Sequence, residues 1–558
     1  MILGLDVGGT QTDTVLVDET GVVAATKTPT GDNLLDTLRQ ALDRTLFDTG
    51  PAQIERMVFS TTMATNAIVQ KRLHRAGMIV SGGPGIDPRS FSVGPCYNVV
   101  TGCLDHQGFE AEPIDRDAVR YASKRIKEQG IDVLGIACKF SVRNPAHELK
   151  IADMVSKDFS YAAMGHQVSG SLNFPRRIFT TYLNSALFPI HKRFLGALTH
   201  ILNEKALNAH RYLLKPDGGT FELNKSVYAP ARTAQSGPAA SVMGAIALDG
   251  CRGASLVLDI GGTTTDMSFV LDGEPLFDRR GIKLGTYPTL IRSLLTRSIG
   301  VGGDSLLTLE KDGSFSIGPF RQGKPIAFGG PGPTPTDAMV SLGLLKKGNA
   351  TAAINAMGNL GRPLGLDPLS TSERILETMA YGIAEAASSF TESVNSAPLY
   401  TINDLLKEQK IKPSAVVIIG GPAPQIAPYI GRALGLPARV PDHFGVANAV
   451  GAAVARVTSV ITLQADTERG TVIIPEVDME KPIDQTFDIN DAIKLADKEL
   501  RKRAVQIGAD TDSLEISITE QQVFNMIRGY YRAGQNIRLK MCITPGLISG
   551  WKQPGKSI

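Results

Sequence analysis

Two octets decide the fold: Asp6-Val7-Gly8-Gly9-Thr10-Gln11-Thr12-Asp13 and Asp259-Ile260-Gly261-Gly262-Thr263-Thr264-Thr265-Asp266. An apolar run leads into each, Ile2-Leu3-Gly4-Leu5 and Leu256-Val257-Leu258. Another follows each, Thr14-Val15-Leu16-Val17 and Met267-Ser268-Phe269-Val270-Leu271. Both therefore read as strand, Gly-Gly turn, strand. The copies lie 253 residues apart, too far for a solenoid repeat and suited to two similar domains. Glycines let successive N–H groups converge into an anion cradle, threonine hydroxyls add donors, and an aspartate at a strand end is a hard oxygen ligand for Mg2+. One such turn is an ordinary hairpin. Two facing copies can grip the β- and γ-phosphates of a nucleotide from both sides.

Outward from the first octet, Asn33 caps a helical pattern through Leu34, Leu35, Leu38, Ala41, Leu42 and Leu46. Met57-Val58-Phe59-Ser60 reads as a strand, followed by a helix from Ala64 to Leu73. Strands at Met78-Ile79-Val80 and Val133 to Ala137 alternate with helices over Arg116 to Gln129 and from Pro145. That alternation predicts α/β layers. Beyond the second octet, Val416-Val417-Ile418-Ile419 breaks at Gly420-Gly421-Pro422-Ala423-Pro424 and enters a helix over Ile426 to Gly435. Strand, Gly-Gly, helix leaves bare backbone against which a base or ribose can lie. Gly300-Val301-Gly302-Gly303-Asp304 follows the second octet and brings Asp304 toward the nucleotide or its metal. Lys215 to Thr220 and Phe328 to Pro335 are Pro/Gly-rich loops, and the Ala-rich stretch Val446 to Ile461 reads as a buried helix. After Thr467 the pattern changes to a helix over Asp491 to Ile507 and alternating strands near Leu514–Ile518 and Ile537–Met541. The expected domains are two lobes, 1–175 and 176–466, and a small α+β appendage, 467–558.

Composition narrows the class. The chain has 558 residues, with 58 Lys plus Arg against 55 Asp plus Glu, a net charge of +3. Such a balance carries no electrostatic footprint for nucleic acid or an anionic membrane. No stretch approaches the roughly 20 apolar residues of a membrane span, and Met1 to Asp6 lacks the basic flank of a signal peptide. The five cysteines (96, 103, 138, 251, 542) form no CxxC and keep no metal-finger spacing, so they read as reduced thiols of a cytoplasmic protein. Glycine, at 57 residues, is in excess, and it clusters in seven Gly-Gly pairs.

The two hairpins and the Gly420-Gly421 turn, in this order, resemble the actin/Hsp70/sugar-kinase superfamily. Phe59-Ser60-Thr61-Thr62-Met63-Ala64-Thr65-Asn66-Ala67, Asn144-Pro145-Ala146-His147-Glu148, Ser236-Gly237-Pro238-Ala239-Ala240 and Pro335-Thr336-Asp337-Ala338 narrow the resemblance to the A-type subunit of the hydantoinase/oxoprolinase family. Phe328 to Pro333 departs from it, lacking the cysteine-containing form common there. The resemblance implies an α/β fold of duplicated actin-like ATPase (ribonuclease H-like) domains with a small C-terminal α+β appendage. It implies ATP and Mg2+, a B-type partner subunit, an oligomer, and phosphorylation of a cyclic amide oxygen (hydantoin or 5-oxoproline type) before ring opening. An ATP-dependent carboxylase subunit and a non-catalytic ATP-binding switch are the alternatives. A reductase activator of the same superfamily needs clustered cysteines, which this chain lacks.

On this reading Asp6 and Asp259 are the catalytic, metal-holding residues. Gly8, Gly9, Thr10, Thr12, Gly261, Gly262, Thr263, Thr264 and Thr265 hold the phosphates, with Gly302, Gly303, Asp304, Gly420 and Gly421 completing the nucleotide site. Thr61, Thr62 and Asn66 either line the substrate side or cap a helix. Asp13 and Asp266 either join the site or cap their hairpins; His147 and Glu148, at a helix start, and Asp337 either serve the helix ends or act in the site.

Overall fold

The computed structural model describes residues 1–31, 33–46, 53–396, 410–510 and 514–552. The octets form two hairpins of identical register. Strand Ile2–Val7 pairs antiparallel with Gln11–Asp18, setting Asp6 opposite Asp13. Strand Ala254–Ile260 pairs with Thr265–Leu271, setting Asp259 opposite Asp266. Each leading strand takes a parallel neighbour on its other side: Arg56–Thr61, with Asp6 level with Ser60, and Ala415–Ile419, with Asp259 level with Ile419. Parallel neighbours require crossovers, and the first contains the helix Leu34–Leu46; helices Met63–Val69 and Ala423–Leu434 follow the two neighbouring strands.

The first sheet has six strands, in the order Thr220–Glu222, His210–Leu214, Arg56–Thr61, Ile2–Val7, Gln11–Asp18 and Gly21–Pro29. The second runs Ala438–Arg439, Ala415–Ile419, Ala254–Ile260, Thr265–Leu271 and Glu274–Pro275, with Thr296–Ile299 also on the Thr265–Leu271 strand. Leu3, Leu5 and Phe59 pack with Leu198 and Leu202 of the long helix Phe174–Glu204. That helix carries the chain under the sheet and back to its edge, so two strands from beyond residue 176 complete the first sheet. The expected division at 175/176 therefore does not part the sheets.

Helices Ser236–Asp249 and Ala447–Val454 cross between the lobes at glycines. A Cβ on Gly244 would stand 2.1 Å from the Ala447 carbonyl oxygen, and one on Gly451 2.2 Å from that of Ala240. The buried helix expected over Val446 to Ile461 is shorter. It ends at Val454, Ala455 turns extended, and Val460–Asp466 is a strand. That strand joins Thr471–Ile474, Met479–Pro482, Tyr531–Ile543 and Ile516–Arg528 in the C-terminal sheet, so the appendage's sheet begins before residue 467. Helix Ile489–Gln506, started by a capping box between Asp488 and Asp491, packs Ala492, Ala496 and Leu500 against it. A separate parallel sheet of Tyr161–Met164, Val133–Cys138, Gly77–Ser81 and Cys96–Val99 lies in the N-terminal half. Among the described residues no helix is long and apolar enough to cross a membrane, and the five cysteines are buried and unpaired.

Candidate functional site

Equivalent turns close the two hairpins. The Gly8 N–H donates to the Gln11 carbonyl (3.0 Å), and the Gly261 N–H to that of Thr264 (2.9 Å). Gly9 has open space where a side chain would stand, and so has Gly421. Thr10 and Thr264 are exposed at the tips and Thr263 is half-buried, all free to face a ligand. Thr12 and Thr265, equivalent positions, behave differently from the sequence expectation. Both are fully buried; the Thr12 hydroxyl meets that of Thr30 (3.1 Å), and the Thr265 hydroxyl donates to the Val301 carbonyl (2.7 Å). Strand alternation turns them into the protein, where they brace the hairpins from behind.

The loop Gly300–Asp304 lies on the second hairpin. Gly303 and Asp304 donate backbone N–H groups to the carbonyls of Gly261 (3.0 Å) and Gly262 (2.6 Å). A Cβ on Gly302 would meet the Gly261 carbonyl oxygen at 2.7 Å. The Asp304 carboxylate takes Arg321 (2.8 Å) and the Thr336 hydroxyl (3.1 Å), so it is already partnered. Gly420 follows the parallel strand directly, at φ +95°, where a Cβ would strike the Ile260 carbonyl oxygen at 2.3 Å and Asp259 Oδ1 at 2.7 Å. Only glycine brings that turn so close to the second aspartate.

The leading aspartates sit in different surroundings. Asp6 is buried, and its Oδ1 has no hydrogen-bond partner. Burial pushes its carboxyl up to about 6, against the lowering influence of Ser60, with Asp13 and Asp259 adding repulsion. Asp259 Oδ2 instead accepts from the Ser241 hydroxyl (2.6 Å) and Asn448 Nδ2 (3.1 Å). Asp13 and Asp266 do not cap their turns. Asp13 pairs with Lys27 (3.1 Å), whose ammonium also reaches the Gly445 carbonyl across the lobes. Asp266 is pushed up to about 7, first by burial and then by Asp259. A crowded carboxylate set with an unpartnered buried oxygen suits a divalent cation. No group of three or more potential metal ligands converges among the described residues, but Mg2+ bound with phosphates needs only one or two carboxylates.

Thr61 is buried and its hydroxyl accepts the Met63 N–H (3.2 Å), so it starts the Met63–Val69 helix; Thr62 makes no such cap bond. Asn66 is exposed and donates to the Thr62 hydroxyl (3.3 Å). This strand end is fastened by Ser236, which meets Ser60 Oγ at 3.1 Å, and by the Gln235 N–H donating to the Thr65 hydroxyl (2.7 Å). Asp337 completes a capping box with Thr334, as a helix-end residue should. Glu148 is structural for a stronger reason than the helix dipole. It is fully buried, accepts the Cys138 N–H (2.8 Å), and bonds His166 Nδ1 (2.6 Å), whose Nε2 meets Asp478 (2.9 Å).

Sequence reasoning passed over Asn448, Ser241 and His166. Ser241 directly follows the quoted Ser236–Ala240 motif and was within reach. Asn448 lies in an Ala-rich helix start with no local polar signal.

A model of the hydantoinase/oxoprolinase family matches residues 177–460, and one of the hydantoinase/oxoprolinase N-terminal region matches residues 2–159. Caprolactamase subunit alpha of Pseudomonas jessenii is 26% identical over 460 residues, 75% of this chain and 64% of its own length. The acetophenone carboxylase gamma subunit of Aromatoleum aromaticum is 24% identical over 451 residues, 69% of this chain and 60% of its own. The chain thus spans about three fifths of the length of these curated relatives. A nucleotide-free structure of acetone carboxylase superposes with a TM-score of 0.70 at 17% identity, covering 100% of this chain and 89% of that one. The fold is the mixed α/β, actin-like ATPase fold.

Proposed function

The chain belongs to the hydantoinase/oxoprolinase family, and from that premise we propose that it is an ATP-dependent enzyme subunit that phosphorylates the oxygen of a cyclic amide of hydantoin or 5-oxoproline type before the ring is opened. The observation that carries the reading is the pair of register-matched hairpins whose leading aspartates include a buried, unpartnered oxygen, Asp6 Oδ1. Amide resonance makes direct hydrolysis slow, and turning the oxygen into a phosphate leaving group lowers that barrier.

In this scheme the Gly8-Gly9-Thr10 and Gly261-Gly262-Thr263-Thr264 turns orient the phosphates with backbone N–H groups and hydroxyls. Asp6 and Asp259 hold Mg2+ or its waters, and bound Mg2+ supplies positive charge beside the transferring phosphoryl group. Ser241 and Asn448 fix the Asp259 carboxylate. Gly302-Gly303 back the second turn, and Gly420-Gly421 lay bare backbone beneath the nucleoside. Thr62 and Asn66, with Thr61 behind them, flank the first hairpin on the side open to a substrate. The caprolactamase relative is named as a subunit, which supports a B-type partner for this chain.

The test is phosphate release with ATP and Mg2+ across 5-oxoproline, hydantoins, lactams and ketones, with and without a B-type subunit. Strong stimulation by one cyclic amide is the expected result. Flat turnover across the panel overturns the reading in favour of an ATP-binding switch. The carboxylase relative supports a second reading, carboxylase chemistry, which stimulation by a ketone with bicarbonate, and not by any amide, would establish.

A further inference from the structure

Away from the hairpins, a cavity of about 110 Å³ lies where three parts of the chain meet. Lys215, Asp217 and Arg232 enter from the first part, Arg292 from the middle, and Glu476, Arg503 and Lys540 from the C-terminal sheet and its helix. Five cationic side chains thus face two carboxylates.

Neither carboxylate neutralises the set. Asp217 is committed to Lys215 (3.3 Å), the Thr458 hydroxyl (2.9 Å) and the Gly219 N–H (3.1 Å). Glu476 accepts the N–H groups of Gly170 and Thr462, each at 3.0 Å. Arg232 donates to the Val168 carbonyl (3.1 Å), and Arg503 to the Glu476 carbonyl. Arg292 is stacked 3.9 Å over the Phe277 ring, and its buried Nη1 has no hydrogen-bond partner. Burial, with the Arg232 charge, holds Lys215 down to about 8 against the pull of Asp217, and Arg503 down to about 10 against that of Glu476 and Asp478. Lys540 is lowered by burial and by Arg292 and Arg538, against the pull of Glu476. Like charges gathered in a narrow, poorly solvated space destabilise one another unless an anion joins them. Guanidinium and ammonium groups converging from separate elements are the arrangement that recognises carboxylate and phosphate oxygens.

We propose that this cavity binds a small oxyanionic group, a carboxylate or a phosphate, at a site separate from the two hairpins. Strand His210–Leu214 runs parallel to Arg56–Thr61 with Leu213 level with Phe59, so Lys215 follows directly on a strand of the first sheet. The site does not depend on what the hairpins bind.

The experiment is calorimetric titration of the full chain with inorganic phosphate and, separately, acetate, at constant ionic strength set by chloride. Saturable binding of either supports the proposal: phosphate alone assigns a phosphoryl group, acetate alone a carboxylate. Arg292→Gln and Lys540→Met should each weaken that binding by about tenfold, the value of one charge-assisted contact. Arg39→Gln, at an exposed pair with Glu204, should leave it unchanged. Using two variants guards against one of them failing to fold, which its unliganded melting curve reveals. The proposal is overturned if neither anion binds beyond the chloride background. It is equally overturned if the folded variants keep wild-type affinity, because the anion then sits elsewhere, the hairpins included.

Discussion

Replacing Asp6 by Asn should stabilise the ligand-free protein while weakening the ATPase activity proposed for it. Asp6 is 8% exposed and its carboxyl is pushed up from 3.8 to about 6, chiefly by burial. The folded state therefore binds this proton more tightly than the unfolded chain does. Above pH 6 the carboxylate carries its full penalty, about 3 kcal/mol at one pKa unit per 1.36 kcal/mol. As pH falls toward 3.8 the penalty is relieved, to about 1 kcal/mol at pH 4.5. An Asn side chain of the same shape avoids the charge, so the variant's gain at pH 7.5 is expected between about 1 and 3 kcal/mol, with part lost to the changed hydrogen bonding at Ser60. For a cooperative unit of roughly 200 residues that is a melting shift of about 2–12 °C. Thermal unfolding of wild type and Asp6→Asn at pH 7.5 and pH 4.5, without nucleotide or metal, reads the effect directly. A gain at pH 7.5 that shrinks at pH 4.5 is the expected pattern. A variant less stable at both values, or one whose gain ignores pH, refutes the view that burial strains the Asp6 charge.

Three further outcomes follow from the geometry. Asn448→Ala removes one of the two donors on Asp259, and kcat/KM for ATP should fall about 10–100-fold, as for a hydrogen bond to a charged group; wild-type turnover means Asp259 needs no such positioning. Gly420→Ala adds a side chain at φ +95° against the Ile260 carbonyl and should cost about 1–3 kcal/mol or more in denaturant unfolding; an unchanged midpoint contradicts the close approach. His166, fully buried between Glu148 and Asp478, is raised to about 9 by those carboxylates against the opposing effect of its burial. Its stabilisation is complete below pH 6.5 and is lost as pH rises through 9, so wild type should exceed His166→Gln by about 1–3 kcal/mol at pH 6 and by much less at pH 9.5; a gap constant with pH removes the charge from the account.

The hairpins were legible because they need little beyond themselves. Gly-Gly turns, flanking β-branched runs and a repeat in the same chain fix both register and the position of Asp6 and Asp259. What the sequence hid depends on distant segments meeting. Thr12 reads as one more hydroxyl in a phosphate turn, yet it faces Thr30, because the strand already alternates at that residue. Asn448 reaches Asp259 across 189 residues of sequence, and no local pattern reports that. Glu148 in a helix's first turn looks like a dipole partner, and only the fold supplies His166 and Arg177 to share its charge. The long helix Phe174–Glu204 is the crossover that returns the chain to the first sheet, a connection between segments far apart in sequence.

The two hairpins match in backbone and differ in what their aspartates have left to give. Asp259 spends Oδ2 on Ser241 and Asn448, and its Oδ1 faces the backbone at Gly420. Asp6 keeps a buried oxygen with no partner. Asp6 is also touched by Ser60 and Asn448, yet it alone of the two keeps a bare oxygen, and on the proposed reading Asp6 makes the closer metal contact. In a Mg2+ titration of ATPase activity, Asp259→Asn should lower kcat while keeping the midpoint within about threefold of wild type. Asp6→Asn should move that midpoint by about tenfold or more, the worth of a lost charged ligand. Equal shifts in both variants would mean the two aspartates share the ion, and the difference in their hydrogen bonding would then have no bearing on metal binding.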